Sequence, residues 1–369
     1  MLFLFIVFAL VLQILLFLTH WFLYLTLVRF LNITDPGILF SLKIALGVLS
    51  FTFVTASLLA NISDNILLRA YYTAAAFWLG ALLYLIVAGG LAYLAVFLAQ
   101  YFSVSFNASF FAQILIVAVV AVSVFGAINA SLVRVTRLNI KLPNLPAAWQ
   151  GKTVVWLSDI HLGEVRNVAF ARSTADIIRQ LKPDIVFIGG DLYDGTAVNL
   201  AKNTEPYKNL GAALGTYFIT GNHEEFDGKE KYLDAVRRAD IRILNNEMVN
   251  INGLQIIGVD YQDTSSAQKF KDILSGIKFN PRQANLLLKH APTDIPVARD
   301  AGISFQISGH AHGGQLWPIN YISNLVYRGY IAGLKQTGNM QIYISSGTGT
   351  WGPPLRVDTN PEIVLIKFE

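Results

Sequence analysis

The sequence predicts an α/β domain joined to a membrane-spanning region of four helices. Three observations carry this. Of 369 residues, 54% are hydrophobic and only 14% charged, against about a quarter charged in ordinary soluble domains. The charge is unevenly spread: residues 1–133 hold five charged side chains (Arg29, Asp35, Lys43, Asp64 and Arg69), and the other 236 residues hold 47. The charged part alternates short β-rich runs with helical patterns, as expected of an α/β sheet. The boundaries read as a transmembrane anchor over 1–133, a linker over 134–151 and a folded domain over 152–369.

Each membrane segment follows from length. A helix crosses the hydrocarbon with about 20 apolar residues, and four stretches qualify, at about 1–27, 38–60, 72–99 and 109–133. The first break, Asn32-Ile33-Thr34-Asp35-Pro36-Gly37, has turn composition, and Pro36 cannot continue a helix. Asn61-Ile62-Ser63-Asp64-Asn65 makes the second break, and the uncharged segment 100–107 the third. Trp21, Tyr24, Tyr71, Tyr72 and Tyr101 gather near the ends, where an apolar ring with a polar edge is at home. A cleaved signal peptide would need a basic start and an apolar core of about 7–15 residues; no Lys or Arg precedes Arg29. Four spans put the N-terminus and the polar domain on one side, with Arg69, Arg134, Arg137, Lys141 and Lys152, and leave Arg29 and Lys43 opposite. This charge bias points to a multi-pass protein of the cell (inner) membrane with its domain in the cytoplasm. No acidic or basic residue sits mid-span, so the segments lack the buried charge of a transport pathway; anchorage is their expected role.

In the polar part, apolar runs stop at chemistry-bearing residues. The run 153–158 (TVVWLS) ends at Asp159, 184–189 (DIVFIG) at Asp191, and 215–220 (GTYFIT) at Asn222-His223; 286–289 ends at His290 and 303–308 (ISFQIS) at His310. An amphipathic helix is expected over 168–181. Ligands of such sheets collect at the carboxyl ends of the strands, and five of the six histidines (His161, His223, His290, His310 and His312) lie there. Asp159 and His161, like His310 and His312, are spaced i and i+2, which in extended chain points both to one side. Zero cysteines exclude disulfides, thiolate metal sites and cysteine catalysis. The donors are then nitrogen and oxygen, suited to Mn²⁺, Fe or Zn²⁺. Asp159, His161, Asp191, Asn222, His290, His310 and His312 are too many for one ion; a shared carboxylate would let two ions take four each. A net charge of +4, without a basic groove interleaved with aromatics, argues against nucleic acid.

The ordered set Asp159-Ile160-His161, Gly190-Asp191-Leu192-Tyr193-Asp194, Gly221-Asn222-His223-Glu224, His290 and Gly309-His310-Ala311-His312 resembles the signature of calcineurin-like metallophosphoesterases over about residues 150–369. Gly313-Gly314-Gln315 and the stretch from Ser345 to Arg356 resemble a membrane-associated branch that includes bacterial phosphodiesterases and UDP-2,3-diacylglucosamine pyrophosphatases. The resemblance implies two mixed β-sheets packed face to face and flanked by helices, an α/β/β/α sandwich. It implies a first metal on Asp159, His161, Asp191 and His312, and a second on Asp191, Asn222, His290 and His310, with His223 contacting substrate. Two divalent ions would neutralise phosphoryl oxygens and activate water, and His223 would act as general acid.

Asp194 and Glu224 read as partners that orient imidazoles; Glu224 reads equally as a helix cap. Arg356 reads either as a phosphate grip or as a structural arginine, and Trp317, Tyr327 and Tyr330 either as packing or as contacts to a bilayer or lipid substrate. The expected activity is hydrolysis of a phosphodiester or pyrophosphate, with a lipid-linked or nucleotide-sugar substrate suggested by the tether. The alternative is a membrane receptor or transport component whose metal domain binds without catalysis.

Overall fold

The computed structural model describes residues 2–62, 65–195, 198–225 and 228–369, with the side chains of 2–6 and 8 left out. Met1 of the first expected span and Ser63-Asp64 of the second connection therefore lie outside the described residues. By contacts the chain divides into two compact units, Met1–Ile128 with Gly352–Leu355, and Asn129–Trp351 with Arg356–Glu369.

The first unit holds α1 (Leu2–Phe30), α2 (Pro36–Ala60), α3 (Ile66–Tyr101) and most of α4 (Ala108–Ser131). All four are long and apolar enough to cross a membrane. The starts of α2 and α3 are set by capping rather than by hydropathy, so α3 begins earlier than the apolar run suggests. Asn65 Oδ1 accepts from the Leu67 and Leu68 amides (3.1 and 3.0 Å). Asp35 Oδ1 accepts from the Ile38 amide (2.9 Å), with Pro36 in the first turn, where its missing N–H costs nothing. Gln13 and His20 are helix contacts: Gln13 Nε2 donates to Ser50 O (3.1 Å), and Trp78 Nε1 donates to His20 Nε2 (2.9 Å).

The second unit runs through β1 (Arg134–Ile140), β2 (Thr153–Leu157), α5 (Val168–Leu181), β3 (Ile185–Ile188), α6 (Leu200–Thr204), β4 (Thr216–Phe218), α7 (Lys229–Arg238) and β5 (Arg242–Ile243). It continues with β6 (Glu247–Ile251), β7 (Leu254–Gly258), α8 (Ala267–Gly276), β8 (Asn285–Leu288), α9 (Ile295–Asp300), β9 (Phe305–Ser308), α10 (Ile319–Val326), β10 (Gly333–Thr337), β11 (Met340–Ile344) and β12 (Glu362–Phe368). The strands form two six-stranded sheets, ordered β1-β12-β2-β3-β4-β5 and β10-β11-β9-β8-β7-β6. Both are mixed: β12 runs antiparallel to β2 in the first, while β10–β11 and β6–β7 are antiparallel in the second.

Alternation along β2 shows why the sheets stack. Val154 and Trp156 join Phe187, Ile256, Leu286, Phe305 and Phe368 in the layer between the sheets. Val155 and Leu157 face the other way, onto Ala171, Ile178, Tyr232 and Leu233 of α5 and α7. The second sheet buries its outer face, Ile257, Leu287 and Ile342, under Phe270 and Leu274 of α8 and Ala298 of α9. Two faces buried on each sheet give the four-layer α/β/β/α order. Within the expected connector, residues 134–140 are extended and form an edge strand paired in parallel with β12 from Arg134↔Glu362 to Ile140↔Phe368.

Candidate metal centre

The strand ends converge. β2, β3 and β4 are neighbours in one sheet, and β8 and β9 in the other; Asp159, Asp191, Asn222, His290 and the His310/His312 pair follow their carboxyl ends. The turns leaving the strands are backbone-strained. Asp159 (φ 54°), His161 (51°), Asp191 (51°), His310 (69°) and His312 (50°) are all left-handed, a conformation costing non-glycine residues about 1–3 kcal/mol each and concentrated at functional sites. The i, i+2 expectation is corrected accordingly. Left-handed turns, not a pleat, bring these side chains inward, and His310 and His312 reach different donor sets. Gly190 (φ 87°) is required between two of the turns, since a Cβ there would lie 2.6 Å from the Gly221 amide nitrogen and 2.8 Å from His290 Nδ1.

One donor set is Asp159, His161 and His312; another is Asp191, His290 and His310. His161 Nε2 and His312 Nε2 are 3.1 Å apart, and His312 Nε2 is 3.5 Å from Asp159 Oδ1. His310 Nδ1 is 3.2 Å from His290 Nε2, itself 3.2 Å from Asp191 Oδ2. Asp191 Oδ2 also lies 3.9 Å from His161 Nε2, so this oxygen faces both sets. Donors about 2.0–2.2 Å from a common cation stand about 3–3.5 Å from one another, which is the spacing seen. Asn222 Oδ1 is buried without a hydrogen-bond partner, an acceptor left open where a second cation would complete its shell.

Protonation suits the same use at three of the four donor rings; at His290 burial is outweighed by the Asp191 carboxylate, which raises the ring to about 9, so it gives up a proton when it takes a cation. Burial pushes His161 down to about 4 and His310 to about 3, and burial with the Arg356 guanidinium holds His312 well below the ordinary imidazole value. These rings are neutral, with lone pairs available. Burial would raise the Asp191 carboxyl, but His290, His223 and His161 together hold it well below the usual carboxylate range.

A family model for calcineurin-like phosphoesterases matches residues 152–314. An uncharacterized metallophosphoesterase of Aquifex aeolicus is 31% identical over 258 residues, covering 68% of this chain and 97% of that relative. The chain belongs to the calcineurin-like phosphoesterase family. It is also similar to an uncharacterized metallophosphoesterase of Helicobacter pylori J99 (34% identity, 58% of this chain and 59% of the relative). A transmembrane protein with metallophosphoesterase domain from Bos taurus matches at 30% identity, over 67% of this chain and 60% of its own. The chain thus spans about six tenths of the length of these two relatives.

Around the donors, three expectations are sharpened. Asp194 Oδ1 lies 3.2 Å from His223 Nδ1 and orients that ring. Among the described residues, the hydrogen-bond partners of the Glu224 carboxylate are backbone amides, not imidazoles. Its carboxylate accepts from the amides of Gly221 (2.7 Å), Asp191 (3.0 Å) and Leu192 (2.9 Å), clamping the turn after β3 to the turn after β4. Arg356 is fully buried and spends its guanidinium on the protein itself. It donates to His312 O (2.8 Å), His312 Nδ1 (3.1 Å) and Gly349 O (2.6 Å), fixing a donor ring to the 345–350 loop. Gln315 likewise ties to that loop, through Trp351 O and N (both 2.9 Å).

Several contributors went unseen in the sequence. Ser158 Oγ donates to Asp159 Oδ2 (2.5 Å). The ring of Tyr261 stands beside His310, with centroids 6.0 Å apart, and Tyr327, expected to pack or to meet lipid, flanks the same imidazole at 5.8 Å. Asn129, near the end of α4, donates to Arg356 O (3.1 Å) and Thr359 O (2.9 Å). It lies inside an apolar stretch, and its partners are more than 220 residues onward, so no local pattern marks it.

Proposed function

We propose that the protein is a membrane-anchored phosphoesterase with two divalent metals, hydrolysing a phosphodiester or a pyrophosphate. The observation that carries the reading is Asp191 Oδ2, which faces both donor sets. Asp159, His161, Asp191 and His312 would hold one ion, and Asp191, Asn222, His290 and His310 the other. Mn²⁺, Fe and Zn²⁺ match these donors. When bound, the pair supplies Lewis acidity to the phosphoryl oxygens and an activated water.

The chain's own residues do the rest. The strained turns preset the donors, and Glu224 holds the Asp191 turn. His223, buried beside Asp194, is placed to donate a proton to the departing oxygen. Burial lowers the His223 ring and the Asp194 hydrogen bond with the Asp191 charge more than offsets it, raising it to about 9, which favours the protonated form that a general acid needs.

The four apolar helices would tether the domain to a membrane, which favours a lipid-linked or nucleotide-sugar substrate of the UDP-2,3-diacylglucosamine kind. Charge bias favours the inner membrane with the domain, residues 152–369, in the cytoplasm. The test is hydrolysis of bis-p-nitrophenyl phosphate by detergent-solubilised chain with Mn²⁺. Asp191→Asn abolishes turnover on this reading, and full activity of the variant refutes it; binding without turnover by the unaltered chain would favour the receptor reading instead.

A further inference from the structure

One surface of the second unit is unaccounted for by hydrolysis alone. α10 is turned inside out. Its half-buried side carries Ile319, Asn320 and Ser323, with Asn320 Nδ2 donating to Asp358 Oδ2 (2.7 Å). Its outer side carries Tyr321, Ile322, Leu325 and Val326, exposed by 63, 59, 78 and 67%. A helix on a water-facing surface normally turns its apolar stripe inward, and a contiguous exposed apolar patch marks a contact surface. Trp317, just before the helix, is exposed too.

Charge identifies the partner. Residues 315–340 contain Arg328 and Lys335 but no Asp or Glu. Apolar side chains projecting outward from a segment whose charges are both cationic, with Trp and Tyr beside them, are what an anionic lipid surface accepts. The chain carries four membrane-length helices, so lipid is always within its reach. The helix also leads to the metal centre. Val326, Tyr327 and Arg328 line a cavity of about 680 Å³ whose lining also includes His310, Ile295 and Val297. That volume is in the range of small-molecule sites.

We propose that α10 is an interfacial helix that seats Tyr321, Ile322 and Leu325 in an anionic lipid surface, so that the cavity at His310 opens toward that surface and admits phosphoesters carried in it. The second clause rests on the phosphoesterase reading; the first does not.

The absence of cysteine makes the test clean. Leu325→Cys and, as reference, Gln268→Cys on the exposed side of α8 are each labelled with an environment-sensitive fluorophore. The full chain is placed in nanodiscs of equal phosphatidylcholine and phosphatidylglycerol. Spin-labelled lipid should quench the label at 325 by at least half and leave the label at 268 unquenched. Equal exposure of both labels to aqueous iodide overturns the proposal. So does protection at 325 that follows protein density instead of lipid quenching, which assigns the face to a second copy.

A second arm uses Ile322→Glu with Leu325→Glu. Hydrolysis of bis-p-nitrophenyl phosphate should be retained, while hydrolysis of a long-alkyl p-nitrophenyl phosphodiester dissolved in the nanodisc falls at least tenfold; no change in either overturns the access claim. If the unaltered chain hydrolyses neither probe, the phosphoesterase reading fails, and lipid quenching still decides the docking.

Discussion

Replacing Gly309 by alanine tests whether the Asp159 carboxylate must stand where it does. A Cβ at this position would lie 2.3 Å from Asp159 Oδ2 and 2.3 Å from Ser158 Oγ. Carbon and oxygen in contact need about 3.3 Å, so the carboxylate or the strand end must retreat by about 1 Å. The carboxylate has little freedom to do so, because the His310 amide donates to both its oxygens (2.9 and 3.1 Å) and Ser158 Oγ to one. A displacement of about 1 Å at a reacting centre costs about 10²-fold in rate. Overpacking of this kind costs about 1–3 kcal/mol of stability, which leaves the domain folded. Gly309→Ala should therefore lower kcat/KM for bis-p-nitrophenyl phosphate about a hundredfold, with a melting temperature only a few degrees down. Gly276→Ala, where a Cβ would meet nothing within 4 Å, is the control. Wild-type turnover in Gly309→Ala would refute the placement of Asp159 in the centre.

Three further outcomes follow from the surrounding contacts. Glu224→Gln replaces an acceptor of three amides with a group offering one oxygen, and should cost about 2–3 kcal/mol in urea unfolding; an unshifted midpoint contradicts the clamp. Asp194→Asn should slow esters with alkyl leaving groups about ten- to a hundredfold while sparing p-nitrophenyl esters, whose leaving group needs no proton; equal slowing of both removes the general-acid role of His223. Arg356→Lys loses the planar fork on His312 and should weaken one metal-binding step about ten- to a hundredfold in a metal titration, with the other unchanged.

Much of the centre was legible because its chemistry lies where apolar runs stop. His161, His290 and His310 each follow a short β-rich segment, and that adjacency is local in sequence. What was hidden depends on partners far along the chain. The β1 segment, RVTRLNI, buries only Ile140 fully, so its alternation is weak, and its strand character comes from pairing with β12. Glu224 sits two residues past Asn222 and looks like a cap; only the approach of the Asp191 turn shows it as a clamp. The apolar residues of α10 recur at helical spacing, which does not say which side is covered, and the fold sets Asn320 and Ser323 on the half-buried side. Pattern reveals amphipathicity, but which side meets water is decided by tertiary packing.

The central claim is that one carboxylate, Asp191, serves two ions at once. Electron paramagnetic resonance of the Mn²⁺-loaded chain tests it most directly. The account predicts two ions per chain with an exchange-coupled spectrum, reduced in Asp191→Asn to an uncoupled signal. A single uncoupled ion in the unaltered chain, or coupling that survives Asp191→Asn, would contradict it.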